Sequence, residues 1–201
     1  MTDDETGLEN HLAVCPVTDD LAAQIVSLAD ISWDGPDATA ALLSLGWSEP
    51  DDTVPMSDAD RVTDQGQFVY ADCGFFMSFA YFYTLALSPD DPFASLPGWS
   101  VRQGAERGDF EATVEDVVKR FTAKLGRPDH STTLPASSFM TVGSTTWRYA
   151  AWRRNRNVLV VGPKSEPMSY HQFEEGIVQI RQLAADAPFP EGDELYRFLD
   201  W

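Results

Sequence analysis

The densest set of chemistry-bearing side chains lies between Ser48 and Gln67, where Glu49, Asp51, Asp52, Asp58, Asp60 and Asp64 share one short stretch. Oxygen ligands on an irregular segment broken by Pro50 and Pro55 are the donor type that calcium or magnesium takes. Asp58-x-Asp60 is the best such pair. The spacing of a calcium-binding loop is missing, however, with neither its glycine nor its terminal bidentate glutamate in place. No metal site and no cofactor are therefore expected. The stretch reads as an exposed acidic loop on which a basic protein could dock. Asp90-Asp91 offers a second acidic pair, and Trp47 an aromatic anchor beside the loop.

Other constellations are incomplete. His171 and Glu175 stand four residues apart and could share one face of a helix, but two ligands do not make a metal site. His11 and His130 are isolated. Gly162-Pro163-Lys164-Ser165 follows an apolar run as the end of a phosphate-binding loop would, yet Asn157 holds the place of the required upstream glycine. Pro163 also removes an amide that phosphate would need. Cys15 and Cys73 lack CxxC spacing and give neither a disulfide framework nor a zinc site. No GxSxG or GxGxxG occurs. Arg148, Arg153, Arg154 and Arg156 form the one basic cluster, and the expected partners of those guanidinium groups are the protein's own acids. No catalytic residue is predicted.

Charge is divided unevenly. Residues 1–100 hold eighteen Asp or Glu against the single base Arg61, while residues 101–201 hold fourteen acids against thirteen Lys or Arg. Almost all of the net charge of −18 thus belongs to the first half. Such a field repels nucleic acid and anionic membrane and draws in cationic partners. The acidic N-terminus does not resemble a secretion signal, and the apolar run Phe75–Leu87 is too short to span a bilayer, so a cytoplasmic location is expected.

The elements that must position these residues are legible in part. Phe110, Val114, Val117, Val118, Phe121 and Leu125 fall on one helical face, opened by Asp109 as N-cap and closed by Gly126 and Pro128. A polar loop over Asp129–Ser137 follows, then strands over Phe139–Val142, Thr145–Trp152 and Val158–Val161, the last two joined by a turn at Arg153–Asn157. Upstream, Thr18 or Asp19 caps a helix over Asp20–Asp30, and a shorter helix covers Asp37–Leu45. Phe68–Ala71 and Phe75–Leu87 read as strands. Ser169 and Gln172 have capping-box spacing before Phe173, Ile177, Ile180 and Ala184, which predicts a last long helix. The helix, Leu-Gly, acid-bearing loop and hairpin order occurs twice. The expectation is an α+β domain over 1–201: an antiparallel sheet with helices mainly on one face, built from two α-β-β units. Its halves run 18–100 and 101–190, residues 1–12 are unstructured, and 191–201 form an apolar docking tail.

Leu45-Gly46-Trp47, Leu125-Gly126-Arg127-Pro128 and Trp147-Arg148, spread through an acidic chain, resemble the small immunity proteins that accompany secreted polymorphic toxins of actinobacteria. That resemblance implies a non-catalytic protein that covers a toxin's active site, and it carries over no functional residue; the partner-binding set expected from charge and aromatic character is Asp51, Asp52, Asp58, Asp60, Asp64, Asp90, Asp91 and Trp47. The element order and acidity are also similar to type III secretion chaperones, which cradle a segment of a secreted protein. A small ligand-binding domain or enzyme is the remaining alternative, and it would need a deep pocket with converging polar groups.

Overall fold

The computed structural model describes residues 8–33, 36–51, 58–71, 74–86, 91–136, 146–165 and 173–199. The aromatic run FFMSFAYFYTLA forms β4, Phe75–Ala86, a strand rather than a helix. Its aromatic side chains supply apolar cover to both faces of a sheet, which is why strict alternation is hard to see in the sequence. One edge of β4 pairs with β9, Glu174–Gln182. The other edge is shared. Its start pairs with β3, Phe68–Tyr70, and its far part with β1, Leu8–Val14, from Val14↔Ala80 to Leu8↔Ala86. β2, Arg61–Val62, extends β3, and β5, Ser100–Gln103, extends β1. Beyond β9 lie β8, Asn157–Ser165, β7, Thr146–Arg154, and β6, His130–Pro135. The order is β2-β3-β4-β9-β8-β7-β6, with β1 and β5 branching from β4, and every pairing is antiparallel. The fold is α+β.

Three helices cover one face. α1, Asp19–Leu28, starts where Thr18 accepts from the Leu21 amide at 3.2 Å, and it buries Leu21, Ala22, Ile25 and Leu28. α2, Pro36–Ser44, is followed by Gly46 at φ +73°, a left-handed stop. α3, Arg107–Leu125, buries Phe110, Val114, Val117 and Phe121. Each of those side chains contributes about 1.5–3 kcal/mol on leaving water. They meet Phe79, Phe82, Leu159, Val161, Val178 and Ile180 from the sheet. On the opposite face, Phe76, Val158, Val160 and Ile177 are covered by α4, Asp193–Leu199, through Leu195 and Leu199. Tyr81, Tyr83, Phe93 and Trp99 make a third cluster beside them.

Several expectations are corrected. The predicted helix over Phe173–Ala184 is strand β9, whose Gly176, Val178 and Ile180 face one layer and Ile177 and Gln179 the other. Residues 8–12 are not unstructured, because they belong to β1, held between β4 and β5. The polar loop expected over Asp129–Ser137 contains edge strand β6. Glu106, not Asp109, is the cap of α3. Asp109 is the third helical residue, and its carboxylate accepts from the Glu106 amide at 2.9 Å. The strand predicted over Phe139–Val142 lies outside the described residues, as do Ser169, His171 and Gln172.

Candidate functional site

The described ends of the acidic stretch, 48–51 and 58–67, are framed by backbone pairing and by buried amides. The Ser48 and Val62 backbones pair in both directions, at 3.0 and 2.8 Å. Thr63 and Gln67 close a turn between them, with the Gln67 side chain donating to the Cys15 and Pro16 carbonyls at 3.2 and 2.9 Å. Trp99 donates from Nε1 to the Gly66 carbonyl at 2.9 Å. Asp51, Asp58, Asp60 and Asp64 are exposed on this frame. Asp60 also has a structural duty: its Oδ2 accepts from the Ala71 amide at 2.7 Å.

The other predicted members of the set separate. Trp47 is 5% exposed, its ring 6.3 Å from that of Phe75 and its Nε1 3.4 Å from Gln24 Oε1, so it is a core residue and not a surface anchor. Asp91 is 7% exposed and points inward. Asp52 and Asp90 lie outside the described residues, as does Cys73. What remains as an exposed set is Asp51, Asp58, Asp60 and Asp64.

Around them the first hundred residues stay together. β1–β5, α1 and α2 occupy one half of the sheet, and β6–β9 the other. A cleft of about 320 Å³ separates α2 from Asp60 and Arg61. Two salt bridges tie the halves at their seam: Arg154 grips Asp30 through Nε at 2.8 Å and Nη2 at 2.6 Å, and Arg120 reaches Asp19 at 2.9 Å. The expected internal pairing of the arginine cluster is thus seen at Arg154. Arg153 instead donates to the Ala184 and Ala187 carbonyls and lies over Phe189.

Behind the surface, two buried polar clusters were not legible in the sequence. In the first, Asp91 accepts from the Tyr83 hydroxyl at 2.8 Å and from the Phe93 amide at 2.9 Å, and its Oδ2 is 2.8 Å from His11 Nδ1. Burial pushes the Tyr83 phenol far up, and the Asp91 carboxylate adds to that shift. An imidazole oriented by a carboxylate is the geometry of a general base. Here His11 and Tyr83 are both fully enclosed, so no substrate reaches them. The cluster ties β1 to the segment that follows β4.

In the second, fully buried Glu174 faces Arg107 Nη2 at 2.9 Å and accepts from Trp147 Nε1 at 3.0 Å. Desolvation raises its carboxyl above the usual range, and the Arg107 charge and the Trp147 bond oppose that rise. Next to it Glu175, on the other face of β9, accepts from the Ser78 hydroxyl at 2.6 Å. Cys15 donates to the Gln65 carbonyl, and burial pushes its thiol up to about 12, which makes it a poor nucleophile. The only hint of these clusters in the sequence is polar residues set inside apolar strands, and their partners stand up to 97 residues away.

Among the described residues no three His, Cys, Asp or Glu side chains gather as a metal ligand set, and no helix is long and apolar enough to cross a membrane. Comparison with protein-family models, with curated proteins and with solved structures finds no match.

Proposed function

We propose that this is a non-catalytic binding protein that meets a basic protein partner through the acidic half of its surface, in the manner of an immunity protein covering a toxin's active site. The observation that carries this reading is the segregation of charge in space. Eighteen of the acids belong to residues 1–100, and among the described residues the strands that this part of the chain supplies keep to one half of the sheet. An uneven field of this kind steers a cationic protein to one side of the molecule and raises its encounter rate, while it disfavours nucleic acid and anionic membrane. Asp51, Asp58 and Asp64, exposed on that half, are the proposed first point of contact, within a cytoplasmic setting.

A secretion chaperone would need broad apolar surface to cradle an unfolded segment. Among the described residues the large exposed hydrophobics are Leu8 and Leu43, on different elements, which supports the immunity reading over the chaperone. The test is co-expression. The secreted-protein genes adjoining this one would each be expressed with and without it. The expected result is one basic product that arrests growth alone and is tolerated when this chain is present. Full toxicity of every neighbouring product in its presence would contradict the proposal.

A further inference from the structure

The sheet ends differently on its two sides. β2 is two residues long and β5 four, with Arg102 in it, so neither offers a usable edge. β6, HSTTLP, is six residues long, carries no Asp, Glu, Lys or Arg, and pairs only with β7 among the described residues. Proteins protect such edges with charge, proline or bulges; β6 carries no acid, lysine or arginine, and its proline, Pro135, stands only at the last position, where its carbonyl accepts from the Tyr196 hydroxyl. Beside it on the helix face α3 stops short of covering the sheet, leaving a groove of about 600 Å³. Its floor is Ser131, Thr133, Arg148 and Ala150, and its inner wall is Val114 and Val118 of α3. The neighbouring acids are already engaged, Glu111 with Arg107 at 3.5 Å and Glu115 with Lys119 at 3.5 Å. Arg148 is exposed and has no counter-ion among the described residues. It stands opposite Thr133 in the ladder, one strand in from the edge.

We infer that β6 is a strand-addition site that takes an extended segment of a partner protein, with an acidic side chain aimed at Arg148 and apolar side chains two residues to either side. Main-chain bonds to the edge that is open among the described residues supply the affinity, and alternate side chains enter the groove. The acidic residue answers the unpaired guanidinium, and its apolar neighbours lie against Val114 and Val118. This surface belongs to the near-neutral half of the chain and does not depend on the acidic loop.

The test uses three synthetic peptides and fluorescence anisotropy. The first is the alternating hexamer Val-Thr-Glu-Thr-Val-Thr, capped at both ends, which sets a valine two residues to either side of the glutamate. The second carries Lys in place of Glu, and the third is the first with the alternate backbone nitrogens that face β6 methylated, so that it cannot pair as a strand. The Glu peptide is expected to bind about fivefold more tightly than the Lys peptide, the preference one exposed charge pair supports. Methylation in the edge-facing register is expected to weaken binding about tenfold or more through lost main-chain bonds. Arg148→Glu, an exposed change, should reverse the Glu-over-Lys preference, and Asp51→Asn with Asp58→Asn should leave it alone. Equal binding of methylated and unmethylated peptides would overturn strand addition, as would an unchanged preference in Arg148→Glu. Dimerisation of the free protein that excludes peptide would show the edge to be occupied by a second copy instead.

Discussion

The buried ion pair of Glu174 and Arg107 permits a sharp prediction because its two members are unequal. Glu174 is fully enclosed on a central strand, whereas the Arg107 side chain keeps 22% of its surface in water. Removing Arg107 strands a carboxylate; removing the charge of Glu174 leaves a guanidinium whose Nε and Nη2 are buried but whose Nη1 still meets the exposed Glu111 at 3.5 Å. Arg107→Met keeps the aliphatic stem over Phe110, which the guanidinium carbon approaches to 5.2 Å from the ring centroid. Its cost at pH 7 should be about 3 kcal/mol, the low end for breaking a buried pair from one side. For a chain of this length that is about 6–12 °C in melting temperature. Glu174→Gln retains an acceptor for Trp147 and should cost under about 1 kcal/mol or stabilise. Combined, the two changes should return to within about 1 kcal/mol of the parent.

The pH dependence follows from the raised carboxyl. A carboxyl that ionises less readily when folded contributes stability that is fully present below its unfolded value, about 4.3. That contribution is lost as pH rises through the higher folded value. Glu174→Gln should therefore gain on the parent as pH increases through that window and stay level above it. The Arg107→Met defect should shrink toward pH 4, where the stranded carboxyl takes a proton. Chemical denaturation at several pH values reads all of this. An Arg107→Met protein as stable as the parent at pH 7, with Glu174→Gln losing 3 kcal/mol, would refute the reasoning.

Three further outcomes are expected. With its thiol pushed up to about 12, Cys15 should resist alkylation in the folded protein at pH 8 and react only on unfolding, as followed by mass spectrometry. Gly98→Ala should cost several kcal/mol, about 2–4, because a Cβ at φ +81° would overlap the Gln65 carbonyl oxygen, and the effect would show as a lowered denaturation midpoint. Asp30→Ala, which frees Arg154 at the seam between the halves, should cost no more than about 1 kcal/mol and less at high salt, since that pair is partly exposed.

How much of this the sequence disclosed depends on how each element handles polar residues. α3 has one apolar stripe and one solvated face, so its period survives in the string of letters, and only its cap was displaced by three residues. The β7–β8 hairpin turns at Asn155, which takes φ +53°, and its β-branched partner strand is equally plain. β9 was misread because Phe173, Ile177 and Ile180 fit a helical spacing. A strand covered on both faces has no polar side to reveal a period of two. β1 reads as unstructured because His11 and Asn10 are polar, yet both have partners, His11 at Asp91 beyond β4 and Asn10 at Thr84 within the sheet. β6 looked like a loop because an edge strand can be all hydroxyls. The same blindness affected the site. Asp51, Asp58, Asp60 and Asp64 are where an acidic, proline-broken loop should put them, but nothing local tells Asp91 from its exposed neighbours. Its partners at positions 11 and 83 are brought to it only by the pairing of β1 with β4.

The central claim is that a cationic partner arrives through the field of the acidic half. The most direct measurement is the association rate with that partner by stopped flow, at about 20 mM and about 500 mM salt, for the parent and for Asp51→Asn, Asp58→Asn, Asp64→Asn combined. Asp60 is left intact because it holds the Ala71 amide. At low salt the triple variant should associate about tenfold more slowly, and at high salt, where screening reaches only a few ångströms, the two should converge. Equal rates at low salt would contradict the account.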